Sequence, residues 1–319
     1  SGMVSGDSVT FSGTGAFANK NVETNKTVAI TGLTAGGTDG GNYILASTAS
    51  SAASITPKTV TVSGLTASNK VYDGTTAATV TSSGVTFGGL IGGDNLSLSS
   101  VGGTFAMKHV GTNKTVSLSS TYGGMDLGNY TITDQASTTA TITPKAVTVS
   151  GLTAANKVYD GTTAATVNLA GAVFTGQIGG DVLTAAGSTG TFGSKNVGTG
   201  KTVTLSGTTY GGADAGNYTF TDQAATTANI TPKSLTLDLQ GEGSKVYDGT
   251  TSITLTGITP TVSGVVSGDT VTAATGSVTG FADKQAGTNK AVLFSGFGIS
   301  GADAANYLLV SGSAPSTAT

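Results

Sequence analysis

The chain has 319 residues; 50 are glycine, none is cysteine or tryptophan, and all 14 basic residues are lysine. A formal charge of −3 with no arginine and no basic stripe argues against nucleic acid. The lack of cysteine excludes disulfides and thiolate chemistry, and no apolar run approaches the roughly 18 residues of a membrane-spanning helix, so no membrane insertion is expected.

In chain order, residues 1–58 present Asp7, then Lys20 and Lys26, then Asp39 four residues before Tyr43, and close on Ile55-Thr56-Pro57-Lys58. The series then starts again with an added opening element, Lys70-Val71-Tyr72-Asp73-Gly74-Thr75-Thr76. It continues through Asp94, Lys108, Lys114, Asp126 and Tyr130 to Pro144-Lys145. A second full copy carries Tyr159, Asp160, Asp181, Lys195, Lys201, Asp214, Tyr218 and Pro232. A third carries Tyr247, Asp248, Asp269, Lys284, Lys290, Asp303 and Tyr307. The period is 87 to 89 residues, and every lysine occupies a repeat position. Such self-similarity means an array of modules rather than one large enzyme domain. With Ile-Thr-Pro-Lys as the boundary, the expected modules are 59–145, 146–233 and 234–319, the last without its final strand, after a partial module 1–58 that lacks its opening third. Since the chain starts inside a repeat, it reads as a segment of a longer protein.

Short alternations such as Thr59-Val60-Thr61-Val62 and Thr202-Val203-Thr204-Leu205 have the period of two that marks half-buried strands. No window has a sustained helical period, so the chain reads as all-β. In 146–233 the expected strands lie near 146–150, 165–169, 172–175, 181–185, 189–193, 201–206, 217–221 and 226–231. Strands of this length and spacing indicate a sandwich or barrel.

One spacing narrows the choice. Asp39 to Tyr43, Asp126 to Tyr130, Asp214 to Tyr218 and Asp303 to Tyr307 share an Asp-x-Gly/Ala-x-Tyr pattern. It resembles the tyrosine corner of immunoglobulin-like domains, in which a tyrosine hydroxyl returns to nearby backbone. The expectation is tandem immunoglobulin-like β-sandwich modules; the alternative is a β-grasp-like module, which needs a helix the sequence does not offer. Junctions of two residues, one of them proline, predict stiffness. Stacked modules of about 30 Å each would reach on the order of 100 Å.

The combination of Lys-Val-Tyr-Asp-Gly-Thr-Thr, Gly-Asp, Gly-Thr-Asn-Lys and Gly-Asn-Tyr at fixed offsets resembles the YDG-type repeat of large bacterial surface adhesins. These include filamentous-haemagglutinin-like proteins exported by two-partner secretion. Gly200 departs from it where Asn25, Asn113 and Asn289 stand, and Ala305 departs where Gly128 and Gly216 stand. The resemblance implies an extracellular protein at the bacterial cell surface, with a part in adhesion or biofilm formation.

Two functions fit this reading: a structural shaft whose partners are the neighbouring modules, or a multivalent module for host or biofilm glycans. For the second, the ligand-binding candidates are Tyr72, Asp73, Tyr159, Asp160, Tyr247 and Asp248, because tyrosine stacks on sugars and aspartate accepts from hydroxyls. The competing reading makes Tyr-Asp-Gly a turn. No cofactor is expected. Calcium is the one metal the carboxylates would suit, and Asp94-type acids near a junction are its candidate ligands. A Lys–Asn crosslink would draw on residues such as Lys70, Asn129 and Asp126. His109 occurs in one module only, and no Ser-His-Asp set or paired acids support catalysis. The partial module, short of two strands, is expected to be the least stable.

Overall fold

The computed structural model describes residues 2–46, 49–310 and 317–318. The chain is all-β and is built from tandem β-sandwich modules. Among the described residues the only helical turns are four three-residue 3-10 turns, each directly before the tyrosine of an Asn-Tyr pair. The chain divides into two compact units, 1–145 and 146–319.

In the first unit, the strand Lys58–Ser63 opens a full module. Its buried side chains are Val60 and Val62, alternating with exposed threonine and serine, which is why this stretch folds as a strand with one wet face. It pairs antiparallel with Thr86–Gly88 and parallel with Tyr130–Thr133. The facing sheet runs in the order Lys70–Val71, Ser137–Thr143, Gly111–Gly123, Ser97–Phe105, Ala77–Ala78. Val60, Val62, Leu65, Phe105, Val116 and Ile142, all at most 2% exposed, fill the space between the two sheets. Gln135 ties the layers by accepting from Leu65 N at 2.9 Å and donating to Leu65 O at 2.7 Å.

The second unit repeats this plan. Lys145–Ser150 pairs with Val173–Thr175 and Tyr218–Thr221, and the five-stranded sheet Lys157–Val158, Ala225–Thr231, Gly198–Ser206, Thr189–Phe192, Ala164–Ala165 faces it. Of the strands expected in 146–233 most are found in place, but the one near 181–185 is Thr184–Ala186 and the one near 165–169 is split into Ala164–Ala165 and Val167–Asn168. Thr153–Ala154, Lys157–Val158 and Thr209–Gly211 are additional short strands.

The module from 234 was expected to lack its last strand. Instead Thr317–Ala318 pairs antiparallel with Lys290–Ser295, with Lys290 opposite Ala318. That is the register of Lys114 opposite Ala140 and Lys201 opposite Ala228, so a short piece of backbone supplies the edge without an Ile-Thr-Pro-Lys signature.

Ahead of module 59–145, Thr10–Phe17, Glu23–Gly36 and Ala49–Ile55 form a three-stranded sheet. No apolar side chain described there is buried, and Phe11 is 56% exposed. Without a facing sheet, alternation alone cannot bury a layer.

Two departures from the repeat pattern have a backbone reason. Asn25, Asn113 and Asn289 have φ of 53°, 49° and 54°, and Gly200 has 58°, so this position is left-handed in all four copies and takes only residues that tolerate it. Gly128 and Gly216 face open space where a β-carbon would sit, so Ala305 is accommodated in the fourth copy.

Candidate functional site: the module joints

The Lys-Val-Tyr-Asp-Gly-Thr-Thr element folds back on its own lysine. Lys157 Nζ donates to Asp160 Oδ1 at 2.7 Å, Thr162 O at 2.8 Å, Thr162 Oγ1 at 3.0 Å and Ala164 O at 2.9 Å. Thr162 also donates its N–H and its hydroxyl to Asp160 Oδ1, both at 2.9 Å. Lys70 makes the same set with Asp73, Thr75 and Ala77, and Lys245 with Asp248, Thr250 and Ser252. The ammonium also lies over an aromatic ring, Phe105 for Lys70 and Phe192 for Lys157. These lysines are therefore caged rather than solvated, and Lys70 is committed to this turn rather than to Asn129. Burial alone would push the carboxyls of Asp73 and Asp160 up. The lysine, backbone and hydroxyl bonds outweigh it and hold both at about 2. Asp248, beside Lys245, is likewise held at about 2.

The tyrosine of the element points away from this cage. Tyr72 and Tyr159 are each 1% exposed, whereas Tyr247 is 61% exposed. Of the six ligand-binding candidates, two aromatic rings are thus covered, and the three aspartates are half-exposed members of the turn.

The Asp-x-Gly/Ala-x-Tyr pattern also has a definite job. In each copy the tyrosine hydroxyl donates to the aspartate of the upstream Gly-Asp and accepts a backbone N–H close by. Tyr43 bonds Asp7 at 2.6 Å and Val4 N at 2.8 Å, and Tyr130 bonds Asp94 at 2.6 Å and Ile91 N at 3.2 Å. Tyr218 bonds Asp181 at 2.6 Å and Ile178 N at 3.0 Å, and Tyr307 bonds Asp269 at 2.7 Å and Val266 N at 2.9 Å. The other aspartate accepts from the next backbone N–H: Asp39 from Ser8, Asp126 from Asn95, Asp214 from Val182 and Asp303 from Thr270. The hydroxyl therefore reaches backbone 39 to 41 residues upstream, rather than the few residues spanned by an immunoglobulin-type corner.

Within each unit this cluster receives the module before it. In the second unit, Lys195 Nζ lies 2.7 Å from Asp269 Oδ1 and 3.6 Å from Asp303 Oδ1. Tyr159 donates its hydroxyl to Asp269 Oδ2 at 2.7 Å, and its ring meets that of Tyr307 edge-on at 5.4 Å. Val197 N donates to Asn306 Oδ1 at 2.9 Å. Gly161, at φ +77°, lies so close to Val266 that a β-carbon there would be 2.8 Å from Val266 Cγ1. The glycine of Tyr-Asp-Gly thus serves the turn and the close approach together. In the first unit, Lys20 contacts Asp94 and lies 3.1 Å from Asp126, while Val22 N donates to Asn129 Oδ1 at 2.9 Å. Asn129, a candidate for the crosslink, is committed here.

The electrostatics follow from these contacts. Asp269, 2% exposed, is held at about 2, first by Lys195, then by the hydroxyls of Tyr307 and Tyr159 acting against burial. The Lys195 ammonium is held well above its usual range by the same pairing. Burial, then the Asp269 charge, pushes the Tyr307 hydroxyl up to about 12. Asp94 lies below the usual carboxylate range because of Lys20 and Tyr130. Of the Asp94-type acids considered for calcium, Asp94 and Asp269 are each paired with a lysine. Among the described residues no three His, Cys, Asp or Glu side chains gather closely enough to hold a metal ion. The part missed in the sequence is the set Lys20-Asn21-Val22 and Lys195-Asn196-Val197. Its signal was present in the strict repetition of the lysine.

No curated protein and no solved structure matches the chain. The model of the YDG domain, in contrast, matches residues 1–51, 56–140, 143–228 and 231–318, so nearly every residue falls within one of four tandem copies and the chain belongs to the YDG domain family.

Proposed function

We propose that these modules are a shaft segment of a bacterial surface adhesin, exported to the cell exterior and serving adhesion or biofilm formation by holding a recognition region away from the cell. One observation carries this reading. The side chains repeated most strictly are spent on the turn and on the joint, as in the set Lys195, Tyr159, Asp269 and Tyr307. A residue buried between modules is not free to meet a target. Joints of one or two residues at Pro57 and Pro232 support the same reading, since proline restricts the backbone where a hinge would sit. In this reading the segment has no catalytic role, needs no cofactor, and has its neighbouring modules as its main partners.

The test is direct binding of the chain to a broad panel of host glycans and bacterial exopolysaccharides, with and without calcium. The shaft reading expects no saturable binding. Saturable binding that weakens on Asp160→Ala or Asp248→Ala, with circular dichroism unchanged, would move recognition onto these modules and overturn it.

A further inference from the structure

A strand resists tension according to where it lies in its sheet. At an edge it peels away one bond at a time; between two neighbours it has to slide past both. In module 59–145 the first strand, Lys58–Ser63, lies between Tyr130–Thr133 and Thr86–Gly88, and the last, Ser137–Thr143, lies between Lys70–Val71 and Gly111–Gly123. In module 146–233 Lys145–Ser150 lies between Tyr218–Thr221 and Val173–Thr175, and Ala225–Thr231 lies between Lys157–Val158 and Gly198–Ser206. The strands through which the chain enters and leaves each of these modules are thus interior ones.

The last strand has a second feature. One of its neighbours is the Asn-Lys-Val-Tyr segment that leads into the Tyr-Asp-Gly turn. The two run parallel, with Lys70 opposite Ile142 and Lys157 opposite Ile230. Backbone and side chains both join them. Tyr159 N donates to Thr231 O at 2.9 Å, Asn229 N to Asn156 Oδ1 at 2.7 Å and Thr231 Oγ1 to Lys157 O at 3.3 Å. Tyr72 N, Thr141 N and Thr143 Oγ1 make the same set with Thr143 O, Asn69 Oδ1 and Lys70 O. The lysine cage anchors the segment from its other side, since Lys157 Nζ also holds Asp160, Thr162 and Ala164. Because the pair is parallel, tension pulls the segment toward its N-terminus and the last strand toward its C-terminus. The bonds between them are then loaded together rather than in turn.

We propose that in modules 59–145 and 146–233 the Asn-Lys-Val-Tyr segment and the last strand form a shear lock that keeps the module folded under tension along the chain. The lock rests on the shaft reading, in which load runs from end to end. It gives the strict repetition of Lys-Val-Tyr-Asp-Gly-Thr-Thr a mechanical reason: the element ties the entering part of the chain to the leaving strand.

The test is single-molecule pulling on the full 319-residue chain. Held by its two ends, the chain is expected to give its two highest-force events from these modules, each releasing about 300 Å of chain. The chain has no cysteine, so handles can be placed at Ala155→Cys and Thr227→Cys, two exposed positions just ahead of the parallel pair. Pulled there, the pair opens one bond at a time, and the force for module 146–233 is expected to fall at least about twofold. Asn156→Ala, at an exposed position, is expected to speed end-to-end unfolding about threefold for one lost hydrogen bond. Thr189→Ala, which removes a bond to Ser206 O in a hairpin that carries neither module end, is expected to leave that rate unchanged. Equal forces in the two pulling directions, or equal effects of the two alanine substitutions, would overturn the lock. Either result leaves the shaft reading to the glycan panel, which tests it separately.

Discussion

The joint at Asp94 and the joint at Asp269 are built from the same parts but for one side chain. Asp94 receives Lys20 from the preceding module and Tyr130 from its own. Asp269 receives Lys195 and Tyr307 in the same way, and also Tyr159 from the preceding module. The lysine–aspartate pair is therefore the minimum joint, while the tyrosine of Tyr-Asp-Gly adds a third donor and an aromatic contact. It also joins the apolar seal, since Tyr159 and Tyr307 belong to one core cluster against which Val197, Val266 and Leu309 pack. Residues 1–58 contain no Tyr-Asp-Gly element, so their joint lacks that seal.

Substitutions can break this comparison at different depths. The largest effect is expected from Asp269→Ala, which leaves two tyrosine hydroxyls and a lysine without their acceptor. It should cost about 3 kcal/mol, the low end for one partner of a buried pair. Asp94→Ala, with one donor fewer and Lys20 61% exposed, should cost less. Denaturant unfolding of the two variants, followed by hydrogen exchange in each unit, checks both; equal losses would mean that Tyr159 adds nothing.

Glycine tests the close approach next. Gly161→Ala and Gly249→Ala have nearly the same φ, +77° and +76°, but only the first would thrust a methyl group into Val266. The expected costs are about 2 kcal/mol and about 1 kcal/mol, the difference being the clash. Tyr159→Phe should cost about 1 kcal/mol for one hydrogen bond, whereas Tyr247→Phe, exposed in the same motif, should stay within about 0.5 kcal/mol. A thermal melt of the two variants side by side separates motif identity from burial.

Acid is the mildest probe. Asp269 has a folded value of about 2, below the ordinary carboxylate value of 3.8, so its contribution is fully present above that ordinary value and is lost as pH falls through the folded one. Stability of the second unit should therefore be flat from neutrality to about pH 5 and fall between about pH 4 and 2. A loss centred near pH 6 would implicate another group.

Much of this architecture is legible in the amino-acid sequence. The Val60/Val62 and Val147/Val149 alternations place strands correctly, because a period of two puts every apolar side chain on one face only in an extended backbone. The left-handed position at Asn25, Asn113, Gly200 and Asn289 is visible as an Asn-to-Gly exchange. Other features are not legible, for physical reasons. The parallel pairing of Lys58–Ser63 with Tyr130–Thr133 joins strands about 70 residues apart, and nothing local encodes it. The joint is also a long-range property: Tyr159 and Asp269 are 110 positions apart, although each repeats with the same period. Periodicity says that a residue serves every module, but not whether it serves within the module or across its boundary. Thr317–Ala318 was missed because the strand was sought by the Ile-Thr-Pro-Lys signature, although the Thr-Ala pair of Thr139-Ala140 and Thr227-Ala228 recurs there.

The central claim is that Asp269 clamps two modules rather than stabilising one. Hydrogen exchange on the full chain, wild type against Asp269→Ala, tests it at a single remote amide. The N–H of Val197 belongs to the preceding module and is bonded to Asn306 across the joint. The account predicts that Val197 loses protection together with Val266 and Thr270. Loss confined to Val266 and Thr270, with Val197 as protected as in the wild type, would contradict it.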